Sequence, residues 1–366
     1  MTAILIFSLL AVSPAHAQDH SKEWHLQELD ANAAWHHSTG EGITVAVIDS
    51  GIDASHPDLA DTLLPGRNFI PDQAPDNTTA EAHAIGHTDP NGHGTSIAGL
   101  IAATSPHDGP AGIAPGASIL PVRVLDADNR YHDSTVVADA ITWAVDSEAD
   151  IINLSLGSPQ TNEAIDAALD YAHEHDVLVI ACTGNRVDHL DSDQVWFPAR
   201  HATTIAVTGT DSHGHRMPGA LSGPETALAA PADQLPAALP GDGWGHVSGT
   251  SFATALVSGT AALLRSAHPA APAQDIAQLL LQSADGAEED LGAGIINPVQ
   301  ALQSSISVSN QENLTLKVSD QNQPASLWAW AGSAMFALAA LLGAWAIEVR
   351  KRQRVQQVVT STARGG

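Results

Sequence analysis

Short apolar runs and helical segments alternate along most of this chain, and that alternation restricts the folds open to it. Runs rich in β-branched residues, typical of buried strands, lie at residues 43–48, 119–125, 151–156, 177–182 and 204–207. Segments with helical patterning lie at residues 93–103, 134–147, 162–175 and 251–268. Strands and helices that alternate at this spacing predict an α/β fold with three layers, a mainly parallel central sheet between helices on both faces.

The first 17 residues have the form of a secretory signal peptide. Residues 4–12 are a short apolar run, and Ala15-His16-Ala17 supplies the small residues that signal peptidase recognises. The segment before the run carries no Lys or Arg, so a buried N-terminal strand is the alternative interpretation. Cleavage after Ala17 leaves residues 18–23 ahead of Trp24, and we expect the folded domain to span residues 18–303.

A second apolar segment near the C-terminus predicts a single-pass membrane anchor. Residues 327–347 carry no charge and are long enough to cross a bilayer as a helix, with Trp residues near both edges. The polar residues 304–326 before it predict a linker, and the basic cluster in residues 348–366 predicts a cytoplasmic tail. We therefore expect an extracytoplasmic domain, periplasmic or on the cell surface; a buried core helix is the alternative interpretation of residues 327–347.

The charge of the predicted outer part excludes one class of partner. Residues 18–325 hold nine Lys and Arg against 40 Asp and Glu, an excess of 31 negative charges. Such a surface repels phosphates, so the chain is not expected to bind nucleic acid. Cys182 is the only cysteine, which rules out an intramolecular disulfide.

Three short motifs place chemically useful residues at strand ends or helix starts. Asp49 ends a predicted strand in VIDSGID, His93 lies between glycines in NGHGT, and Ser251 follows Gly-Thr in GTSFAT. Each has a structural alternative, since Asp, His and Ser also serve as turn or helix caps. Together they supply a nucleophile, a base and a group to orient that base, in the chain order Asp, His, Ser.

Residues 24–303 resemble the subtilisin-like serine proteases, peptidase family S8. The resemblance rests on VIDSGIDASHPDL, NGHGTSIAGLIA, GIAP, INLSLGS, ACTGN and GTSFATALVSGTAALL, in that order. It implies a subtilisin-like fold and a serine endopeptidase that cleaves polypeptides. In such an enzyme Asp49 orients the imidazole, His93 is the general base and then acid, and Ser251 is the nucleophile that forms an acyl-enzyme.

The same resemblance implies further site residues. Asn185 matches the oxyanion-hole amide, and Ser155, Leu156 and Gly157 match the strand that pairs with substrate backbone. The pocket for the residue before the scissile bond would be shaped by Ser158, Thr183 and Gly184. No cofactor is required for this chemistry.

Two further regions carry weaker predictions. Asp58 falls where many family members place a calcium ligand, so it is a candidate for structural Ca²⁺, with a turn-stabilising Asp as the alternative. Residues 71–90, acidic and His-containing, predict a surface insertion. The lone Cys182 would lie near the cleft, as a buried apolar side chain or as an oxidation sensor.

The domain organisation resembles the mycosins, proteases attached to type VII secretion systems. That likeness rests on one catalytic domain, a C-terminal anchor with a short basic tail, and no room for a long pro-segment in residues 18–23. It implies secretion-system components as possible partners. The alternative function is a membrane-anchored scaffold or stabilising subunit of a secretion assembly, with incidental or latent protease activity.

Overall fold

The computed structural model describes residues 23–70, 83–104, 109–131, 133–186 and 193–305. The predicted signal peptide, the predicted membrane helix and the basic tail lie outside these residues, as does all but the start of the predicted linker. Within the described part of the chain, no helix combines the length and apolar character needed to cross a bilayer.

The secondary structure alternates in the way that the sequence predicts. The strands are β1 (Thr44–Asp49), β2 (Arg67–Asn68), β3 (Ser118–Arg123), β4 (Ile151–Leu154), β5 (Leu178–Cys182), β6 (Thr204–Thr210), β7 (Leu228–Pro231), β8 (Leu235–Leu239) and β9 (Gly243–Val247). The helices are α1 (Trp24–Glu28), α2 (Ala31–Trp35), α3 (His93–Ala102), α4 (Ser134–Asp146), α5 (Glu163–Glu174), α6 (Thr250–Ala267), α7 (Ala273–Gln282) and α8 (Pro298–Gln303).

Strands β1 to β7 form one sheet in the order β2-β3-β1-β4-β5-β6-β7, with every neighbouring pair parallel. Strand β1 lies inside the sheet, where Asp49 pairs with Arg123 of β3 and Val47 pairs with Asn153 of β4. Strands β8 and β9 form a separate antiparallel hairpin. Because all strands of the main sheet run the same way, their carboxyl ends share one edge, where ligands bind in open α/β sheets.

Helices cover both faces of the sheet and create two hydrophobic cores. Along β1, Val45 and Val47 face the core shared with α3, α6, α7 and α8, whereas Ala46 and Ile48 face the core shared with α4 and α5. This is the two-residue period of a strand that is buried on both faces. The predicted three-layer, mainly parallel α/β fold is therefore confirmed.

The structure differs from the sequence prediction in several elements and in one loop region. Strands β2, β7, β8 and β9 and helices α1, α2, α7 and α8 are not among the predicted elements. Strands β7 and β8 are rich in Ala and Pro and β9 contains two glycines, so none of these three has a run of β-branched residues. The expected surface insertion at residues 71–90 is wrong for its described part, since His83, Thr88 and Asp89 are buried. These side chains lie under the edge of the sheet that carries Asp49.

Candidate active site

The three triad candidates meet at the carboxyl edge of the sheet. Asp49 is the last residue of β1, His93 is the first residue of α3, and Ser251 is the second residue of α6. Helices α3 and α6 pack against each other, and the His93 ring lies 5.4 Å from the Phe252 ring between centroids. Asp49 and His93 are 44 positions apart and His93 and Ser251 are 158 positions apart, and the fold brings all three to one edge of the sheet.

Asp49 holds the His93 ring through both carboxylate oxygens. The distances from His93 Nδ1 are 2.8 Å to Oδ1 and 2.9 Å to Oδ2, and both side chains are fully buried. A carboxylate can only accept, so Nδ1 carries the proton and donates it. The other nitrogen, Nε2, is left as the basic one in the neutral ring, and it has no hydrogen-bond partner among the described residues.

Electrostatics around His93 favour its protonated form. Burial by itself would lower the pKa of His93. The charge of Asp49, its hydrogen bond and the charge of Asp89 outweigh burial and raise that pKa above its ordinary value. The site therefore stabilises an imidazolium ion, which is the species that forms when this base accepts a proton.

Two hydrogen bonds join Ser251 to Ser155. Ser251 Oγ donates to the carbonyl oxygen of Ser155 at 3.2 Å, and Ser155 Oγ donates to the carbonyl oxygen of Ser251 at 2.9 Å. In this conformation the hydroxyl does not donate to His93 Nε2. Rotation about χ1 of Ser251 would redirect it, and catalytic hydrogen bonds of this kind commonly tighten only when substrate is bound.

Glycines let the backbone approach closely around these side chains. A side chain at Gly94, next to His93, would collide with the carbonyl oxygen of Gly51. A side chain at Gly184, where φ is +100°, would collide with the Trp196 ring. The glycine beside His93 thus serves backbone packing between β1 and α3, in addition to leaving the ring accessible.

The amide of Asn185 is oriented by the start of α6. Its Oδ1 accepts a hydrogen bond from the backbone N–H of Thr250 at 3.1 Å. Its amide group Nδ2 makes no hydrogen bond to the described residues and lies near Gly249. Asn185 therefore presents two N–H donors beside Ser251, at the positive end of the α6 dipole.

The predicted substrate strand follows directly after β4. Leu156 and Gly157 are buried and make no backbone hydrogen bond to other described residues, so their polar groups remain available to an added strand. Ser158 then pairs with Phe197 through two backbone hydrogen bonds of 2.8 Å. Thr183 is tied to its neighbours, donating from N–H to Val207 and accepting from Trp196 N–H.

Sequence reasoning missed a chain of buried polar side chains behind Ser251. Ser258 Oγ donates to Asn153 Oδ1 at 3.0 Å, and Asn153 Nδ2 donates to Ser155 Oγ at 2.9 Å. Ser155 in turn holds the Ser251 carbonyl, so the chain links α6 and β4 behind the site. The available signal was Asn153 itself, a polar residue inside an otherwise apolar strand.

Cys182 lies against Ser251 and is buried. Burial raises the pKa of its thiol to about 11, although hydrogen bonds with Ser251 and Thr250 lower it. A thiol with that pKa is protonated and unreactive at neutral pH. The structure favours the buried apolar role for Cys182 over the oxidation sensor.

Asp58 has the character that a calcium ligand needs. It is buried, and neither carboxylate oxygen has a hydrogen-bond partner among the described residues. A buried carboxylate in that state requires a cation or another partner. The neighbouring residues 105–108 lie outside the described part of the chain, and no group of three or more His, Cys, Asp or Glu within that part could hold a metal.

Comparison with known proteins agrees with this geometry. The subtilase family profile, Peptidase S8, matches residues 40–313. Subtilisin E from Bacillus subtilis is 35% identical over 294 residues, which cover 79% of this chain and 73% of subtilisin E. Thermitase from Thermoactinomyces vulgaris is 36% identical over 247 residues, covering 67% of this chain and 83% of thermitase. The fold and the buried Asp–His pair beside a helix-borne serine are those of a serine protease, and the chain belongs to the subtilase family.

Solved structures add a likeness to the mycosins. The MycP3 protease from the type VII (ESX-3) secretion system matches with a TM-score of 0.67 and 28% identity, covering 83% of this chain and 92% of MycP3. MycP1 with its N-terminal propeptide removed matches with a TM-score of 0.66 and 27% identity, covering 77% of this chain and 97% of MycP1. The predicted resemblance to subtilisin-like and mycosin-like proteases is confirmed.

Proposed function

We propose that this protein is a serine endopeptidase that cleaves extended segments of exported or surface proteins, with Asp49, His93 and Ser251 as its catalytic triad. The observation that carries the proposal is the double contact of the Asp49 carboxylate with His93 Nδ1. It leaves the basic Nε2 free at a site that also holds a helix-borne serine and an oriented amide. An inert scaffold would not require this combination of groups.

The first half of the reaction follows from these contacts. Ser251 Oγ attacks the substrate carbonyl carbon while its proton passes to His93 Nε2, and Asp49 stabilises the imidazolium. The carbonyl oxygen becomes an oxyanion that accepts hydrogen bonds from Asn185 Nδ2 and the backbone N–H of Ser251. Since Thr250 N–H already fixes the Asn185 amide, little reorganisation is needed when this charge develops.

The second half reverses the proton transfer. The imidazolium of His93 gives its proton to the leaving amine, and the carbonyl remains bonded to Ser251 as an acyl-enzyme. Water then loses a proton to His93 Nε2 as it attacks the ester, and His93 returns that proton to Ser251 Oγ as the ester bond breaks and the second product leaves. Ser155, Leu156 and Gly157 would pair with the substrate backbone on one side, and Ser158, Thr183 and Gly184 would line the pocket.

The test compares the full-length protein with two serine variants. The wild type and Ser212→Ala, which alters an exposed serine, should both react with a fluorophosphonate probe and should both cleave members of a peptide library. Both signals should vanish in Ser251→Ala. A well-folded wild type that neither reacts with the probe nor cleaves peptides would contradict the proposal and favour the scaffold function.

Location is a further part of the proposal. The signal-like residues 1–17, the uncharged residues 327–347 and the basic cluster after them support a single-pass protein with its catalytic domain outside the membrane. Green fluorescent protein fused after Gly366 should fluoresce, and alkaline phosphatase at the same position should be inactive. The opposite pair of results would place the C-terminus outside.

The mycosin likeness supports a secretion-related partner. MycP3 is described as a protease from a type VII secretion system, and it matches most of this chain. If the domain also stabilises a secretion assembly, Ser251→Ala should preserve secretion in cells while a deletion of the gene abolishes it. Equal loss of secretion in both strains would assign the effect to proteolysis.

The last part of the proposal is a structural calcium ion. Asp58 would hold it through its two unpartnered carboxylate oxygens, with backbone carbonyls completing an oxygen ligand set. When bound, the ion would supply charge neutralisation to a buried acid and no step of the chemistry.

A further inference from the structure

Asp89 is a second buried carboxylate beside the triad, four residues before His93, and the reaction described above does not use it. Its two oxygens accept five hydrogen bonds from groups on either side of the site. The donors are Ser50 Oγ (2.8 Å), Asn91 N (3.1 Å), Gly92 N (2.7 Å), Thr95 N (2.8 Å) and Thr95 Oγ1 (2.6 Å). Such a density of donors is typical of a carboxylate that orders the surrounding backbone.

Ser50 connects this carboxylate to the triad aspartate. The backbone N–H of Ser50 donates to Asp49 Oδ1 at 2.7 Å, and its hydroxyl donates to Asp89. The same hydroxyl accepts a hydrogen bond from the backbone N–H of Gly94 at 3.0 Å. Asp89 therefore ties the end of β1, which carries Asp49, to the first turn of α3, which carries His93.

The contacts favour the ionised form of Asp89. The Ser50 hydroxyl accepts from Gly94 and the Thr95 hydroxyl accepts from Asp53 N–H at 3.0 Å, so both direct their own protons to Asp89. A proton on the carboxyl group would face one of these donors. Burial raises the pKa of Asp89 above its ordinary value, although the hydrogen bonds from Thr95, Gly92 and Ser50 oppose this effect, and the charge of Asp89 raises the pKa of His93.

We propose that Asp89 is a positioning residue for the peptidase reaction. It holds His93 against Asp49 through Ser50 and the start of α3, and its charge stabilises the imidazolium that forms when Ser251 loses its proton. The inference rests on the proposed role of His93 as the base. It adds a second anion to the electrostatics of the triad.

Other titratable and charged groups surround His93 but do not substitute for Asp89. They are Asp49 at the end of β1, Asp53 in the following loop, Arg123 at the end of β3 and Cys182 at the end of β5. Cys182 is neutral at neutral pH because burial raises the pKa of its thiol to about 11. The effect on His93 of removing the Asp89 charge can therefore be separated from the effects of these groups.

The experiment measures kcat and KM against pH for full-length wild type, Asp89→Asn, Ser50→Ala and Asp53→Asn. Asp89→Asn should lower kcat about tenfold, change KM less than about twofold, and move the acid limb of kcat/KM down by about one pH unit. Ser50→Ala breaks the bridge and keeps the charge, so it should lower kcat with the acid limb unmoved. Asp53→Asn is the matched control and should behave as wild type, because its carboxylate contacts Ser55 and Gly241 instead.

Each outcome decides the question. An acid limb that stays in place in Asp89→Asn, or moves equally in Asp53→Asn, overturns the electrostatic role. If Asp89→Asn does not fold, Ser50→Ala decides the positioning role, and wild-type kcat in that variant refutes it. A ¹³C-histidine NMR titration of His93 in the Ser251→Ala background, with and without Asp89→Asn, needs no activity. It separates failure of this inference from failure of the proposed function.

Discussion

Acidification should destabilise this protein through one buried histidine, His25 in α1. The side chain is fully buried, and neither ring nitrogen has a hydrogen-bond partner among the described residues. Burial lowers the pKa of His25 from 6.5 to about 4, because the imidazolium ion would lose its hydration without gaining a partner. The folded protein therefore keeps this ring neutral at pH values where the unfolded chain protonates it.

The sign and size of the effect follow from linkage. Below pH 6.5 the unfolded chain binds a proton at His25, whereas the folded protein binds that proton only near pH 4. The free energy of unfolding therefore falls as the pH falls through this window. The lowering of this pKa from 6.5 to about 4 corresponds to about 3 kcal/mol when the unfolded residue is fully protonated. Between pH 7 and pH 5 the loss of unfolding free energy is about 2 kcal/mol.

The assay is urea unfolding of the full-length protein at pH 7, 6 and 5, in the Ser251→Ala background to prevent self-cleavage. His25→Leu should reduce the loss of unfolding free energy between pH 7 and pH 5 by about 2 kcal/mol, at an unchanged m value. His37→Leu, at an exposed histidine a few residues beyond α2, is the control and should retain the full loss. Identical pH dependence in His25→Leu and wild type would refute the reasoning.

Three further predictions concern the site and its surroundings. Asn185→Ala should lower kcat by roughly 10²–10³ with little change in KM, the range known for loss of this type of donor in a subtilisin, and an unchanged kcat would remove Asn185 from the oxyanion hole. Calcium should raise the melting temperature of the wild type and EDTA should lower it, while Asp58→Asn should show neither response; equal responses in both would place any calcium elsewhere. Cys182 should resist iodoacetamide at pH 8 in the folded protein and react in urea, and rapid labelling of the folded form would contradict its burial.

Much of the fold is readable in the sequence because the central strands are buried on both faces. Such strands must be apolar throughout, and the five predicted runs coincide with observed strands to within three residues at each end. The hairpin of β8 and β9 could not be predicted from the sequence in this way. Segments such as Leu235–Leu239 are held in place by pairing with a neighbour and by packing on α3, which no local pattern encodes.

The sequence predicts those site residues that lie in distinctive local motifs. Asp49, His93 and Ser251 each lie next to glycine-containing turns at an element boundary, where the sequence marks them individually. Asn153 and Ser258 do not lie next to such a turn. Their importance depends on a contact across 105 residues between α6 and β4, and only the folded chain shows it.

Asp89 shows why the same reasoning failed at a neighbouring position. Its surroundings in the sequence, Thr88 and Pro90 within an acidic stretch, indicate an exposed loop, and a carboxylate there is expected to face water. Burial is nevertheless favourable, because the backbone N–H groups at the start of α3 need acceptors and Gly92 has no side chain to provide one. A glycine in the capping position, followed by a helix start, implies that another residue supplies the acceptor. At this site that residue also carries the charge closest in sequence to the proposed base, so the requirement for capping α3 and the requirement for stabilising an imidazolium are met by one side chain.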